Sequence, residues 1–557
     1  MNKIGFRIVL VFVLFASFQY AKGQDKNNFE LSKNIEIYID VLRQLNLNYA
    51  DDINPGELNK TAIDAMLAKL DPYTVYIPES QIEDFELMTK GEYGGIGSLI
   101  QKQGEYVVIT EPYEGFPAQK AGLKAGDKIV TIDGESAVGK NSSVVSEKLK
   151  GTPATSLTLT VQPYGDTINK QVEIIREKVK IPNIPYYGML DENIGYISLL
   201  QFNPNAAADV KKAFRELQAN NTLSGIIIDL RGNGGGLLSE AVGIVNLFVP
   251  KGQTVVTTKG KVSSEVMVHR TRNGAVDTKI PLAVLVNGNS ASASEIVAGA
   301  IQDLDRGIVI GERTFGKGLV QNVLPLPYNS KIKVTIAKYY IPSGRCIQAI
   351  DYFHENGNQN AAKVPDSLIS EFKTKGGRSV HDGGGIIPDI LSARKEFSQI
   401  TGDLYAGNYI FNYANQFVLE HQEILPPAQF KIDDSTYSDF KKFITIQDFD
   451  YLTETGALLE KLQGSAEREK YDEALKANLE EIETALNEEK KHDIDKYKDE
   501  IKELLLVEIV SRYYYQKGKL EAALQDDPLS AEAIRVLNNP TEYASILKPS
   551  NSESGNK

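Results

Sequence analysis

At the centre of the chain stand Leu282-Ala283-Val284-Leu285-Val286 and, shortly after, Asn289-Ser290-Ala291-Ser292-Ala293-Ser294-Glu295. The apolar run predicts a buried strand, and the apolar residues that follow Glu295 recur at helical spacing. A strand therefore leads into a helix here. On either side, from Ile194 to about Ile390, apolar strands alternate with amphipathic helices. That alternation is typical of an α/β layer architecture.

Length and pattern divide the chain into several domains. A chain of 557 residues is too long for one hydrophobic core, since a domain usually holds about 100 to 200 residues. The predicted fold class is a multidomain α/β protein in which helical regions and a strand-rich module flank the α/β core. The predicted segments are an export signal (1–23), an N-terminal helical region (24–90), a strand-rich module (91–178), the α/β core (179–393) and a C-terminal helical region (394–557).

Composition excludes several classes of protein. Lys and Arg number 61 against 74 Asp and Glu, a formal net charge of −13, so the chain has no general attraction for the phosphates of nucleic acid. The single cysteine, Cys346, cannot form an internal disulfide or a cysteine-rich metal site. We therefore expect neither nucleic-acid binding nor a metal site.

The first residues have the pattern of an export signal. Lys3 and Arg7 give a positive start, an apolar run follows from Ile8 to Phe18, and Ala21-Lys22-Gly23 offers a small-x-small cleavage site. An uncleaved anchor helix is the alternative, but the apolar run is shorter than the about 20 residues that span a bilayer. We expect an exported protein, periplasmic or secreted, with no membrane span after processing.

Ser292 allows two interpretations. A Ser followed three residues later by Glu295 is the signature of a capping box, in which the Ser oxygen accepts a hydrogen bond from the first helical turn. The same position places a hydroxyl beside unsatisfied backbone N–H groups that can stabilise an oxyanion, which suits a nucleophile. A nucleophile needs a base nearby. The sequence has no G-x-S-x-G elbow around Ser292, and His381 with Asp382 is one candidate for the base.

Lys317 is the other candidate base. Burial disfavours the ammonium ion and lowers a lysine pKa from about 10.4 towards neutrality, which leaves a free amine. Lys317 lies between two glycines and strand-like flanks, where a solvated loop lysine is the alternative interpretation. The segment Gly311–Gly318 also fits most of a phosphate-binding loop. Its last position is Gly instead of Ser or Thr, however, and a strand-like run follows it, which argues against nucleotide binding.

A glycine-rich segment follows the strand-like run Ile226–Ile228. It reads Asp229-Leu230-Arg231-Gly232-Asn233-Gly234-Gly235-Gly236. Glycine lets the backbone approach a ligand closely and direct its N–H groups towards it. The segment is either part of an oxyanion hole or substrate-binding strand, or an ordinary turn between a strand and a helix.

Together these segments resemble the carboxyl-terminal processing peptidases, also called tail-specific proteases. The resemblance runs from about Lys33 to Ile390. The matching motifs are Gly94-Gly95-Ile96-Gly97, Pro117-Ala118 with Ala121-Gly122-Leu123 and Gly126-Asp127, Asp229-Leu230-Arg231 with its glycines, Ser290-Ala291-Ser292-Ala293-Ser294-Glu295-Ile296, Thr314-Phe315-Gly316-Lys317-Gly318 with Val320-Gln321, and Gly385-Ile386-Ile387-Pro388-Asp389.

The resemblance implies a crotonase-like α/β core and a set of site residues. Ser292 would be the nucleophile and Lys317 the general base, with Gln321 orienting the lysine. The N–H groups of Ala293 and of one glycine, Gly235, would form the oxyanion hole. Residues that match positions near the family's site, and that we expect to be supporting groups, are Glu295, Asp303 and Thr314.

The strand-rich module is similar to a PDZ domain. In such domains a glycine-bearing loop presents backbone N–H groups to a terminal carboxylate while the peptide adds to a sheet edge as a strand. Gly95, Ile96 and Gly97 would form that peptide-binding loop. Many relatives carry a basic residue near the last strand of this domain, and here Gln162-Pro163 stands in that stretch. The sequence therefore does not decide whether a bound peptide controls the activity.

The sequence predicts a serine endopeptidase that captures protein C-terminal tails and cleaves near them with a Ser/Lys dyad. No metal or organic cofactor is needed for that chemistry. The alternative is a catalytically inactive, PDZ-type peptide-binding scaffold. The expected partners are proteins with accessible C-terminal tails, and a second copy of the chain through the charged C-terminal helices.

Overall fold

A computed structural model describes residues 28–82, 85, 91–261, 266–352, 362–364, 367, 369–392 and 396–549. The predicted export signal, residues 1–23, lies outside the described residues. The chain falls into two compact units. One comprises Met1–Pro78 with Val323–Val334, and the other comprises Glu79–Asn322 with Thr335–Lys557.

The smaller unit is built from two helices and a strand pair. Its helices span 28–48 and Pro55–Leu67. The Asn54 side chain caps the second helix by accepting hydrogen bonds from the N–H groups of Gly56 and Glu57, at 3.0 and 3.3 Å. Capping of this kind satisfies donors that the first helical turn leaves unpaired. The strand Val75–Ile77 then pairs antiparallel with Lys331–Lys333.

In the larger unit, the PDZ-like module is an antiparallel sheet with two short helices. Its core is aliphatic and includes Val107, Ile109, Ile129, Leu157 and Leu159, all buried. The strands follow the order Ser98–Gln103, Tyr106–Pro112, Lys128–Ile132, Ser156–Gln162 and Lys170–Ile175. The helices are Pro117–Lys120 and Ser142–Leu149, and Glu92–Gly95 pairs separately with Glu177–Lys180.

The α/β core is organised around one sheet of mostly parallel strands. Its strands follow the order Tyr186–Met189, Ile194–Ser198, Gly225–Asp229, Leu282–Val286, Ile308–Gly311 and Ile390–Leu391. Only the first pair in this order is antiparallel. Parallel strands end at the same edge of a sheet, so the segments that follow them meet there.

Both faces of this sheet are covered, as expected for parallel strands. Ile226, Ile228 and Val284 face one hydrophobic cluster, which includes residues of the helices Ala206–Asn220, Leu238–Phe248 and Ala293–Asp303. Ile227 and Leu285, which alternate with them, face a second cluster. That cluster contains Leu529, Ala533 and Val536 of the helix Pro528–Leu537. The chain beyond residue 394 therefore supplies a layer of the core.

The remaining C-terminal helices span Gln399–Ala406, Tyr409–Glu420, Asp434–Ile446, Glu454–Glu469, Asp472–Lys490, Asp493–Lys496, Lys498–Ala523 and Pro540–Ile546. The first three of them and Lys498–Ala523 pack around a separate buried cluster, which includes Tyr413, Tyr437 and Phe440. The PDZ-like module contacts these helices, because Tyr164 donates a hydrogen bond to the Asn412 carbonyl at 2.9 Å. Within the described part of the chain, helices long and apolar enough to cross a membrane are absent.

The remaining described elements are nine strands and one 3₁₀ helix. They are Glu79–Gln81 (3₁₀), Glu135–Ser136, Thr254–Gly260, Val266–Arg270, Leu319–Pro325, Lys331–Tyr340, Ile350–Asp351, Ala362–Lys363, Glu371–Lys373 and Ser379–His381. Leu319–Pro325 is a strand directly after the Gly311–Gly318 segment. This agrees with the argument against a phosphate-binding loop, which needs a helix there.

A buried ion pair ties the far end of the helix Ala293–Asp303 to the loop that follows Lys331–Tyr340. The side chains of Arg345 and Asp303 are 1% and 0% exposed, and their N···O distance is 2.8 Å. Arg345 also donates to the Gln302 side chain at 2.7 Å, and Asp303 accepts the Ser343 N–H at 2.9 Å. These further hydrogen bonds help to compensate the loss of water around the two charges, which is the condition for such a buried pair to persist, although the Arg345 Nε is buried without an acceptor.

Asp303→Asn should lower the free energy of unfolding by about 3–5 kcal/mol, because it leaves the Arg345 guanidinium buried without a counter-ion. Urea unfolding followed by circular dichroism measures the change. Asp439→Asn is the matched control, since Asp439 is 62% exposed in its pair with Lys442 and its loss should cost less than about 1 kcal/mol. Equal effects of the two variants would contradict the structural role of Asp303.

Candidate active site

Three neighbouring parallel strands end at one edge of the central sheet, and the loops that follow them form the candidate site. We call them the glycine loop (232–236), the serine turn (290–292) and the lysine turn (316–318). The Ala291 N–H donates to the Asn233 carbonyl at 3.1 Å, and the Phe315 N–H donates to the Ser290 carbonyl at 3.1 Å. Backbone hydrogen bonds therefore join the serine turn to the glycine loop on one side and to the segment before the lysine turn on the other.

Ser292 has a strained backbone at the start of the helix Ala293–Asp303. Its φ and ψ are 56° and −112°, whereas an ordinary N-cap residue lies in the β region. Non-glycine residues in such conformations cluster at functional sites, where the surrounding structure holds them in place. The side chain is half-buried. Glu295 accepts the Ser292 N–H, as a capping box requires, and the role of Ser292 as the nucleophile stays a prediction.

Glu295 joins the serine turn to the lysine turn. Its carboxylate is fully buried. One oxygen accepts the Ser292 N–H at 2.9 Å and the Lys317 N–H at 2.9 Å. The other accepts the Gly316 N–H at 2.8 Å and the Thr314 hydroxyl at 2.6 Å. Burial raises the pKa of Glu295, and the four donors act in the opposite direction. All four groups donate, so this arrangement requires the ionised carboxylate.

Tyr339 joins the same two turns on their carbonyl side. Its side chain is 1% exposed. The hydroxyl lies 3.1 Å from the Ser292 carbonyl oxygen and also within hydrogen-bond distance of the Lys317 carbonyl oxygen. One hydroxyl proton serves these two acceptors. This residue was not predicted from the sequence, because the strand Lys331–Tyr340 is mostly half-buried and nothing in its pattern marks Tyr339 as buried.

Lys317 lies in the irregular connection between the strands Ile308–Gly311 and Leu319–Pro325, with a glycine on each side. Gly316 has φ +87°, and a Cβ there would stand 2.4 Å from the Ala349 Cβ, so a side chain does not fit. The Gly316 carbonyl accepts the Ala349 N–H at 2.9 Å, and the Gly318 N–H donates to the Gln348 side chain at 2.7 Å. The Lys317 side chain is half-buried.

The two predicted oxyanion donors lie next to each other. A Cβ built on Gly235 would stand 2.8 Å from the Ser292 Cβ and 2.9 Å from the Ala293 nitrogen. Only glycine fits this contact, and its φ of +100° also favours glycine. In this structure the Gly235 N–H donates to the Asn233 side-chain oxygen at 2.9 Å. To act as an oxyanion donor, the Gly235 N–H must therefore leave the Asn233 oxygen or divide its hydrogen bond between that oxygen and the oxyanion.

The other predicted site residues, Thr314, Gln321 and Asp303, have three different surroundings. Thr314 stands at the site, donating to Glu295 and accepting the Ile386 N–H at 2.7 Å. Gln321 donates to the Thr335 hydroxyl at 3.3 Å, and its orienting role towards Lys317 stays a prediction. Asp303 does not belong to the site. It ends the helix that Ala293 begins, about 15 Å further along the axis at 1.5 Å per residue, so the supporting role predicted for it is wrong.

His381 is likewise placed away from Ser292. Its carbonyl accepts a hydrogen bond from Arg345 at 3.0 Å, and Arg345 pairs with Asp303. His381 therefore stands beside the far end of the serine-bearing helix, and its side chain is exposed. The histidine alternative for the base gains no support. Clusters of three or more His, Cys, Asp or Glu side chains suited to a metal ion are absent from the residues that the structure describes.

The predicted peptide-binding loop lies at an open sheet edge of the PDZ-like module. It precedes Ser98–Gln103, the edge strand. Gly97 has φ +72°, and the Ile96 side chain is buried in the module's core. The Tyr93 ring packs on Gly95. Burial raises the pKa of Tyr93, whereas the backbone N–H groups of Ser98 and Gly97 act in the opposite direction.

Family models and relatives agree with this architecture. The model "Peptidase family S41" matches residues 193–352, "PDZ domain" matches 108–163, and "Probable PDZ-protease, C-terminal helical domain" matches 400–537. The chain is 34% identical over 353 residues to the "Carboxy-terminal-processing protease" of Bartonella bacilliformis, covering 63% of this chain and 81% of the relative. It is 33% identical over 374 residues to the "Probable CtpA-like serine protease" of Staphylococcus haemolyticus, covering 66% and 72%.

A solved structure of a photosystem II D1 C-terminal processing protease also matches. It is 30% identical, with 63% of this chain and 86% of that chain covered and a TM-score of 0.36. A protease core with a PDZ domain and a C-terminal helical domain defines the class, a PDZ-containing serine endopeptidase. The chain belongs to the carboxy-terminal-processing protease family within peptidase family S41. It recognises protein C-termini through its PDZ domain, and the scaffold alternative loses its support.

Glu295→Gln should lower kcat about 100-fold. The amide keeps the shape but replaces one accepting oxygen with a donor, so two buried N–H groups lose their acceptor at about 1–3 kcal/mol each. Steady-state cleavage of an unstructured protein measures the loss. Glu240→Gln is the matched control, because Glu240 also accepts a backbone N–H, from Ala207 at 2.9 Å, but on another helix. Equal kcat in the two variants would rule out the joining role of Glu295.

Tyr339→Phe should lower kcat about tenfold and leave KM unchanged, because it removes one donor worth about 1–1.5 kcal/mol from the backbone of both turns. The same cleavage assay applies. Tyr413→Phe loses a comparable hydroxyl, which donates to the Thr436 carbonyl at 2.9 Å within the C-terminal helices, and it should keep wild-type kcat. Wild-type kcat in Tyr339→Phe would show that this hydroxyl does not position the site.

Proposed function

We propose that the enzyme cleaves peptide bonds with a Ser292/Lys317 dyad. The observation that carries the proposal is that Glu295 and Tyr339 each bind the backbone of both residues, Glu295 at their N–H groups and Tyr339 at their carbonyls. Two turns that are joined on both sides stay at a constant separation. A nucleophile and its base need that constancy, since small misplacements cost large factors in rate.

The reaction follows from the roles of these groups. The neutral Lys317 amine takes the proton from the Ser292 hydroxyl, and the oxygen attacks the scissile carbonyl carbon. The Ala293 N–H and a glycine-loop N–H stabilise the oxyanion. The Lys317 ammonium then protonates the leaving amine as the peptide bond breaks. Water attacks the remaining ester with Lys317 again as the base, which releases the new C-terminus and restores the Ser292 hydroxyl.

The amine must be neutral in the resting enzyme, and burial favours that state. Removing water from a lysine penalises its ammonium form more than its amine form. The Lys317 side chain is already half-buried, and a substrate strand lying over the lysine turn would displace more water from it. A bound substrate strand would thus increase the share of Lys317 that is present as the free amine.

Substrate capture is assigned to the edge strand of the PDZ domain. A C-terminal tail would add to Ser98–Gln103 as a further strand, with its carboxylate on the N–H groups of the loop Gly95–Gly97, where it would replace the Tyr93 hydroxyl as the acceptor of the Gly97 N–H. The openness of that edge and the burial of Ile96 support this assignment. A chain end carries a charge that an internal segment lacks, which gives the selection of tails a physical basis.

We also infer a crotonase-like core, an exported location and self-association. Parallel strands covered by helices on both faces support the core assignment, and the signal pattern before residue 24 supports export. Exposed Leu458, Leu462 and Ile482 on the C-terminal helices support contact with a second copy of the chain.

Ser292→Ala and Lys317→Ala should each abolish cleavage of an unstructured protein, because each removes one half of the dyad. Mass spectrometry of the products over time measures the rate. Ser239→Ala and Lys251→Ala, at exposed positions on other segments, are the matched controls and should keep wild-type rates. Normal turnover in Ser292→Ala would refute the nucleophile. Normal turnover in Lys317→Ala alone would refute the base.

A further inference from the structure

Arg231 stands directly before the glycine loop and is held by two carboxylates. Its Nε and terminal nitrogen lie 2.9 and 2.6 Å from one Asp229 oxygen. Its two terminal nitrogens lie 2.9 and 2.7 Å from the two oxygens of Asp527. A guanidinium bound by such paired bonds has a defined orientation as well as a defined position. The start of the glycine loop is therefore anchored to a residue that is 296 positions away in the sequence.

Asp527 is itself held rigidly by the C-terminal helical domain. It is the N-cap of the helix Pro528–Leu537 and accepts the Ser530 N–H at 3.2 Å. That helix packs on the second face of the central sheet through Leu529, Ala533 and Val536. The carboxylate thus has a fixed place relative to the strands whose ends carry the catalytic loops.

The charges of the cluster favour this arrangement. The side chains of Asp229, Asp527 and Arg231 are 7%, 12% and 24% exposed, so solvent screens their attraction only partly. Burial raises the pKa of Asp527, but the hydrogen bonds and charge of Arg231 outweigh it and the pKa lies below its usual value. The Tyr196 hydroxyl donates to Asp229 at 2.7 Å and occupies another lone pair of that carboxylate.

The glycines of the loop have little conformational preference of their own, so contacts with other segments must hold it; Asn233 supplies some of them, donating to the Leu199 carbonyl at 2.7 Å and accepting the Ser294 hydroxyl at its own carbonyl at 2.8 Å. Gly232, Gly235 and Gly236 adopt φ values of +72°, +100° and +148°, and glycine loses more conformational entropy than other residues when it is held in one state. Near its start the loop is also held by the Gly232 N–H, which donates to the Asn287 side chain at 3.0 Å. Gly235, three residues further on, must stay beside Ser292.

We propose that Asp527 is a positioning residue for proteolysis, holding the glycine loop beside Ser292 through Arg231. The inference rests on the proposed function, because it assigns the glycine loop to the oxyanion hole. It gives the C-terminal helical domain a part in positioning the site. Without the Asp527 carboxylate, the Arg231 side chain keeps only Asp229, a neighbour on its own strand end, and the loop loses its tie to the C-terminal helices.

Asp527→Asn tests the proposal, because Asn caps a helix about as well as Asp but carries no charge for Arg231. We expect kcat on an unstructured protein to fall about tenfold, with KM and the unfolding temperature unchanged. Asp527→Ser, which also keeps the cap, should behave in the same way. Asp526→Asn, at the exposed neighbouring position, is the control and should match the wild type.

A double-mutant cycle separates positioning through Arg231 from a general structural role. Arg231→Lys also loses the paired bonds, so the variant carrying both Asp527→Asn and Arg231→Lys should be no slower than Arg231→Lys alone. Additive losses, or wild-type kcat in both Asp527 variants, would overturn the proposal while Ser292→Ala remains inactive. If Ser292→Ala is active, the proposed function fails instead.

Discussion

The arrangement of the active site depends on one buried carboxylate. Glu295 accepts the N–H groups of both Ser292 and Lys317, so a single ion sets the separation of two turns that lie on neighbouring strands. Isolating such an ion from water is costly unless every lone pair finds a donor. The four donors around Glu295 meet that requirement, and the need to satisfy the ion thereby becomes a constraint on the geometry of the proposed dyad.

The packing of the sheet and its helices also holds the loops of the site in place. The parallel strands bring three loops to one edge, and the helix Pro528–Leu537 covers the face opposite the serine-bearing helix. The helix Lys498–Ala523 contacts the PDZ domain, because the Gln119 side chain donates to the Tyr515 hydroxyl at 3.1 Å and Lys519 lies 3.6 Å from Glu111. Tyr515 interrupts its own helix with φ 52°. One C-terminal region therefore contacts both the module that binds tails and the core that cuts them.

Local sequence patterns predicted those structural elements that depend on neighbouring residues. The strand before Ser292, the helix after it and the strand that excludes a phosphate loop all follow from the properties of neighbouring residues. The roles of Tyr339 and Asp527 were not predicted, because their partners are distant in the sequence. Tyr339 binds carbonyls 22 and 47 positions away, and Asp527 binds a side chain 296 positions away. The supporting role of Asp303 was wrong because the length of its helix carries it to the other end, where Arg345 holds it.

A crystal structure of the Glu295→Gln variant tests the central claim most directly, because it observes the two turns themselves. With its acceptor gone, the lysine turn should move away from the serine turn by more than the about 0.5 Å that a catalytic constellation tolerates. If the backbones of Ser292 and Lys317 keep their wild-type separation around the amide, other contacts hold the dyad together and Glu295 is not the residue on which the site depends.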